Sequence, residues 1–138
     1  WKKEEEALPT DAMSTIVKAR AFRGGLFLGG IKSAKDFPLL KSERVTAVLT
    51  VANDDVLVIF YQVVDYEGTD IRHLHIKVKD TQFEDLSKHF NETTEFIHEE
   101  LSKGNVLVHC RLGVSRSATI ILAYLMRFGK LTYEQAFN

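Results

Sequence analysis

Val106-Leu107-Val108-His109-Cys110-Arg111-Leu112-Gly113-Val114-Ser115-Arg116-Ser117 divides into three local structures. Val106, Leu107 and Val108 form a short apolar run, the pattern of a strand covered on both faces. Residues 110–115 read as a loop, and Gly113 suits its tight curvature because glycine tolerates positive φ. Arg116 to Phe128 is helical in character: Ala118, Ile121, Leu122 and Leu125 supply apolar positions, and Gly129 stands where the helix would stop. The first N–H groups of a helix lack partners within it, and the helix dipole adds positive potential there. A loop wrapped at that end aims several N–H groups at one centre and becomes an anion cradle.

Two side chains complete this cradle. Arg116 offers a planar fork that matches two phosphate oxygens. Cys110 stands at its base, where the positive field favours the thiolate, the nucleophilic form of the side chain. The expected phosphate-binding set is Arg111, Leu112, Gly113, Val114, Ser115 and Arg116. A lone cysteine after an apolar strand is often mere core filler. The Cys110 to Arg116 spacing, with Gly113 inside it and a helix after it, is far more specific.

On the N-terminal side of this stretch, Asp85 to Lys103 reads as a helix with Leu86, Phe90, Ile97 and Leu101 on one face and Gly104 at its end. Leu74, Ile76 and Val78 alternate with polar residues as a strand that ends at Asp80. Val56 to Val64 is open between strand and irregular core, after a turn over Asn53, Asp54 and Asp55. Val45 to Val51 is apolar and β-branched, as a buried strand would be. Ser33 is expected to cap a short helix over Asp36 to Lys41, with Pro38 in its first turn. Leu26, Phe27 and Leu28 form a short strand closed by Gly29 and Gly30. On the C-terminal side, Thr132 and Gln135 make a capping-box pattern for a last helix. This alternation predicts an α/β fold: a central, mostly parallel (mixed) sheet of about five strands flanked by helices, with the Cys110 loop between the last core strand and a helix.

A chain of 138 residues fits one domain. The charged start from Trp1 to Glu6 has no signal-peptide core and no initiator Met, so a domain cut from a longer chain is expected. Residues 1–11 read as an N-terminal arm and 12–138 as the catalytic unit. Its C-terminal end is expected to be incomplete, because Asn138 falls only about a turn into the last helix. With 18 basic and 19 acidic residues the net charge is −1. Such a balance excludes a global attraction to nucleic acid or to an anionic membrane, and a monomer is expected. No apolar run reaches the ~18 residues of a membrane span. The single cysteine rules out an intrachain disulfide and points to a reducing compartment, the cytoplasm or alternatively the nucleus. A zinc site built from Cys110 with His73, His75, His98 and His109 matches poorly the paired motifs that structural zinc uses. His73 and His75 fall on one side of a strand and His98 on a helix, so surface or edge positions are expected and no metal is.

His109-Cys110-Arg111-Leu112-Gly113-Val114-Ser115-Arg116-Ser117-Ala118-Thr119 resembles the signature of the dual-specificity phosphatases, within the protein tyrosine phosphatase superfamily. Ala123-Tyr124-Leu125-Met126 is similar to that family's following helix, and Gly24 to Gly29 to its N-terminal strand. Other branches fit less well. The large tyrosine-specific enzymes carry a Trp-Pro-Asp loop, and the only tryptophan here is Trp1. The low-molecular-weight branch has its loop at the chain start. The rhodanese-like branch has a Glu in the loop, and lipid-directed members often add Lys, whereas this loop adds only Arg111.

The resemblance implies hydrolysis of phosphotyrosine and phosphoserine or phosphothreonine in a phosphoprotein substrate, through a cysteinyl-phosphate and without a cofactor. It implies a general acid on a loop ahead of the nucleophile. Asp80 fits, between a strand and a helix; Asp70 and Asp85 are its rivals. It also implies that His109 orients the loop and supports the thiolate, and that the Ser117 hydroxyl bonds the sulfur as it leaves. Ser115 would stabilise the loop. Blander readings are a turn or capping carboxylate for Asp80 and helix caps for the two serines. Two other functions remain open at this level: a phosphoinositide or RNA 5′-phosphatase of the same superfamily, and a phosphate-binding module with little catalysis.

Overall fold

The computed structural model describes residues 14–18, 25–52, 64–78, 85–110 and 115–129. The turn expected over Asn53 to Asp55, most of Val56 to Val64, and the Thr132 and Gln135 pattern lie outside the described residues.

Among the described residues, five strands form one sheet: β1 (Ser14–Lys18), β2 (Gly25–Gly29), β3 (Val45–Val51), β4 (Arg72–Ile76) and β5 (Asn105–Cys110). Their spatial order is β1-β2-β5-β3-β4. β5 lies parallel to both β2 and β3, and β3 is parallel to β4; only β1 runs antiparallel, at the β2 edge. The mostly parallel, mixed sheet is as the sequence predicts. β1 itself carries no marked pattern in the sequence and was not expected as a strand.

The central strands are apolar throughout because both sheet faces are covered by helices. Side chains alternate between the faces. On one face Leu26, Leu28, Ala47, Leu49, Val51, Val106, Val108 and Cys110 pack against α3 (Phe90–Leu101) and α4 (Ser115–Phe128). Ile97 and Leu101 come from α3, and Ile120, Ile121 and Tyr124 from α4. On the other face Phe27, Val48 and Leu107 meet Ala34, Leu40 and Tyr66, carried by α1 (Ile31–Lys35), α2 (Phe37–Ser42) and the segment before β4. Tyr66 is fixed there by its hydroxyl, which donates to the Ala34 carbonyl at 2.6 Å. Arg72 of β4 ties α3 to the sheet edge through its ion pair with the buried Glu100.

Several element ends differ from expectation for local reasons. Ser33 does not cap the helix after it; it is buried within α1, and Asp36 caps α2 by accepting the Leu39 N–H at 3.1 Å. Pro38 does fall in the first turn of α2. The helix expected from Asp85 starts as a 3-10 turn over Ser87–His89, because the Asp85 carboxylate captures the backbone N–H and hydroxyl of Ser87. The α-helix proper begins at Phe90 and ends at Leu101. β4 begins earlier than the alternation implied, and Val78 lies beyond it, still buried. In α4 the fully buried apolar position is Ile120, with Ile121 and Tyr124 beside it, while Leu122 is half-buried.

Candidate active site

Strand alternation decides the geometry around Cys110. The residue is the last of β5, and its side chain points to the α3 and α4 side. There its Sγ lies 3.5 Å from the Ser117 Oγ. Ser117 is fully buried in the first turn of α4, next to the half-buried Arg116. The first turn of α4 carries no acidic residue, so nothing there opposes the positive end of the helix dipole. Thiol, hydroxyl and helix N-terminus are thus brought together. Ser115 opens the same helix. Arg111, Leu112, Gly113 and Val114, expected to supply the cradle, lie outside the described residues, and so does Asp80, the expected acid. Its rival Asp85 is exposed and occupied with Ser87, which holds its carboxyl below the usual range.

His109, one residue earlier, points to the opposite face of the sheet. It is fully buried, and its Nε2 lies 2.8 Å from the Thr50 Oγ1. In the β3–β5 register Thr50 stands directly across from His109. Burial lowers the His109 pKa to about 4, with a main-chain contact at Cys110 opposing and the charges of His73 and His75 assisting. The remaining nitrogen, Nδ1, is buried without a hydrogen-bond partner among the described residues. The ring is therefore neutral at physiological pH.

The Thr50 hydroxyl also lies 2.7 Å from Nε2 of His73. Burial and the neighbouring His75 lower the His73 pKa. His73 and His75 do share one side of β4, as expected, with ring centroids 6.2 Å apart and ring planes nearly parallel. They are not free surface groups: Tyr66 packs edge-on against His73, and His75 Nε2 meets the Ala52 carbonyl at 2.7 Å. Thr50 was missed from the sequence. Its one signal is a hydroxyl inside the apolar run Val48-Leu49-Thr50-Val51, on the face that β5 shares with His109.

A family model described as the dual specificity phosphatase catalytic domain matches residues 26–138. This chain belongs to the dual specificity phosphatase family. The phosphatase domain is 37% identical over 114 residues to MAP kinase phosphatase with leucine-rich repeats protein 3 of Dictyostelium discoideum, covering 83% of this chain and 12% of that one. It is 34% identical over 136 residues to dual specificity protein phosphatase 12 of Mus musculus, covering 98% and 39% respectively. Its fold matches the crystal structure of human tyrosine phosphatase-like serine/threonine/tyrosine-interacting protein with a TM-score of 0.77 at 30% identity, covering 91% of this chain and 79% of that one. The chain thus spans well under half the length of these two curated relatives.

Proposed function

We propose that this domain hydrolyses phosphotyrosine and phosphoserine or phosphothreonine in proteins through a cysteinyl-phosphate at Cys110. The observation that carries the reading is the placement of Sγ at the C-terminal end of β5, 3.5 Å from the Ser117 hydroxyl in the first turn of α4. In the first step Sγ attacks phosphorus, the phosphorus–oxygen ester bond breaks, and Asp80 gives its proton to the departing oxygen. In the second, the Asp80 carboxylate takes a proton from water as that water's oxygen bonds phosphorus. The phosphorus–sulfur bond breaks, inorganic phosphate leaves, and the Ser117 hydroxyl donates to the departing sulfur anion. Arg116 and the N–H groups of residues 111–116 would hold the equatorial oxygens throughout. His109, neutral and turned to the other face, fits a positioning role rather than proton transfer to substrate.

The catalytic unit in this reading is 12–138, with 1–11 as an arm. It works as a monomer on phosphoprotein in a reducing compartment, the cytoplasm or nucleus, which suits its single cysteine. No helix among the described residues is long and apolar enough to cross a membrane.

Cys110→Ser tests the reading: turnover of para-nitrophenyl phosphate is lost while phosphate binding persists. Normal turnover by that variant would refute it. Asp80→Asn lowers kcat strongly on aryl phosphates with poor leaving groups, within the ~10²–10⁴ range of a positioned acid, and less on good ones. Equal loss on both substrates would remove Asp80 from the acid role.

A further inference from the structure

We propose that Lys32 and Lys77 are specificity-determining residues: they stand on either side of the strand that carries Cys110 and recognise acidic side chains flanking the phosphorylated residue of a protein substrate. This rests on the phosphoprotein reading above and extends it to a substrate class. The strand register supplies the placement. Cys110 ends β5 level with Val51 of β3, which pairs with Ile76 of β4. Lys77 is the next residue, so it clears the same edge of the sheet. On the other side of β5, Gly29 of β2 pairs with His109, and Gly30 leads straight into α1. The Ala34 N–H donates to the Gly30 carbonyl at 3.2 Å, which holds Lys32 in the turn that opens α1 at that edge.

Both lysines also belong to one face. Ile76 and Val78 are buried in the core under α3 and α4, so alternation sends Lys77 to the opposite face, where it is exposed. α1 covers that same face: Ala34 joins Leu107 in the core there, Lys32 is exposed, and the helix contains no acidic residue. In the strand order Lys32 follows β2, one strand from β5, and Lys77 follows β4, two strands away on the other side. Neighbouring strands lie about 4.8 Å apart, and an extended chain rises about 3.3 Å per residue. A substrate lying extended across the strand ends therefore meets Lys32 about two residues from the phosphorylated position and Lys77 about three, in opposite directions along its chain. With a net charge of −1 the domain as a whole does not attract acidic peptides, so a preference for them reports local cations.

Three phosphotyrosine peptides of one length test this: acidic on the N-terminal side of the phosphorylated residue, acidic on the C-terminal side, and neutral on both. In the wild-type domain each acidic peptide exceeds the neutral one in kcat/KM by about 3- to 5-fold at low salt, mainly through KM, and the advantage shrinks at high salt. Lys32→Gln removes the advantage on one side of the phosphotyrosine and Lys77→Gln removes it on the other. Each variant is scored by its acidic-to-neutral ratio, so a change in the site itself cancels. Lys41→Glu keeps both ratios, because α2 leads to the opposite edge of the sheet, where the Asn105 N–H at the start of β5 donates to the Arg44 carbonyl. Equal kcat/KM on all three peptides in the wild type overturns the proposal. So does a single-lysine variant that loses both advantages or neither, or the loss of the same one in both variants. The wild-type comparison needs no variant to fold. Turnover by Cys110→Ser would instead refute the nucleophile assignment, independently of the peptide ratios.

Discussion

At His109 the cost of stripping water from an imidazolium outweighs the main-chain contact that would favour it, and the pKa falls to about 4 from an ordinary 6.5. The unfolded chain therefore takes up this proton at a higher pH than the folded one. Between pH 6.5 and 4 the unfolded state holds more protons, so stability falls as pH falls, and below about 4 this term is flat. The loss is roughly 1.4 kcal/mol per pH unit and about 3 kcal/mol in all. His73, also lowered, acts in the same direction. Urea midpoints measured from pH 7.5 to 4 should show this decline, and His109→Gln should flatten it. Equal declines in both proteins would assign the pH dependence elsewhere. At this scale the sequence was legible where one residue's chemistry depends on its own segment. Cys110 and Ser117 share one strand–loop–helix stretch, so their meeting could be anticipated. Thr50 and His73 reach His109 from two other strands, and nothing in their local pattern says which strands become neighbours.

Among the elements, the end of α3 is the tightest fit. Gly104 follows that helix, and its N–H donates to the Glu100 carbonyl at 3.1 Å. A Cβ there would collide with Thr46 of β3, meeting its Oγ1 and also its Cγ2 at 2.7 Å. One χ1 rotation cannot withdraw both Thr46 branches, so backbone must move. Gly104→Ala should destabilise by about 1–3 kcal/mol, seen as a lower urea midpoint with unchanged slope. In a Thr46→Ala background the loss should shrink; a loss that persisted in full would place the strain elsewhere. The glycine was visible in the sequence as a helix stop, but Thr46 as its reason was not. Periodicity likewise revealed the cores of β3, β5, α3 and α4, which bury continuous or one-sided apolar sets. It misplaced ends, where a single carboxylate decides: Asp36 took the cap expected of Ser33, and Asp85 turned the start of a helix into a 3-10 turn.

Across these 138 residues, a single cysteine sets the response to oxidants. Oxidised Cys110 has no second thiol in the chain with which to form a disulfide. Peroxide should therefore inactivate the domain through a sulfenic acid or a backbone sulfenamide, reversibly with thiol at first and irreversibly once sulfinic acid forms. Mass spectrometry of the inactivated protein distinguishes these adducts, and finding only an intermolecular disulfide would contradict the expectation. The class of the fold was legible from alternating strands and helices, and the β1-β2-β5-β3-β4 order was not, because strand neighbours are set by packing of both sheet faces at once.

That order also governs assembly of the chain. β5 is the middle strand, yet it is the last one made, and its start reaches back 80 positions to accept the Gly25 N–H on the Asn105 side chain. During synthesis β2 and β3 must wait with their inner edges open until residues 105–110 leave the ribosome. Such late, long-range closure slows folding and leaves apolar edges exposed to aggregation. A nascent chain halted before residue 105 would have no sheet centre. The strand that bears Cys110 is also the one that joins the two halves of the sheet, so a chain completed to that point gains its architecture and its proposed nucleophile in the same event.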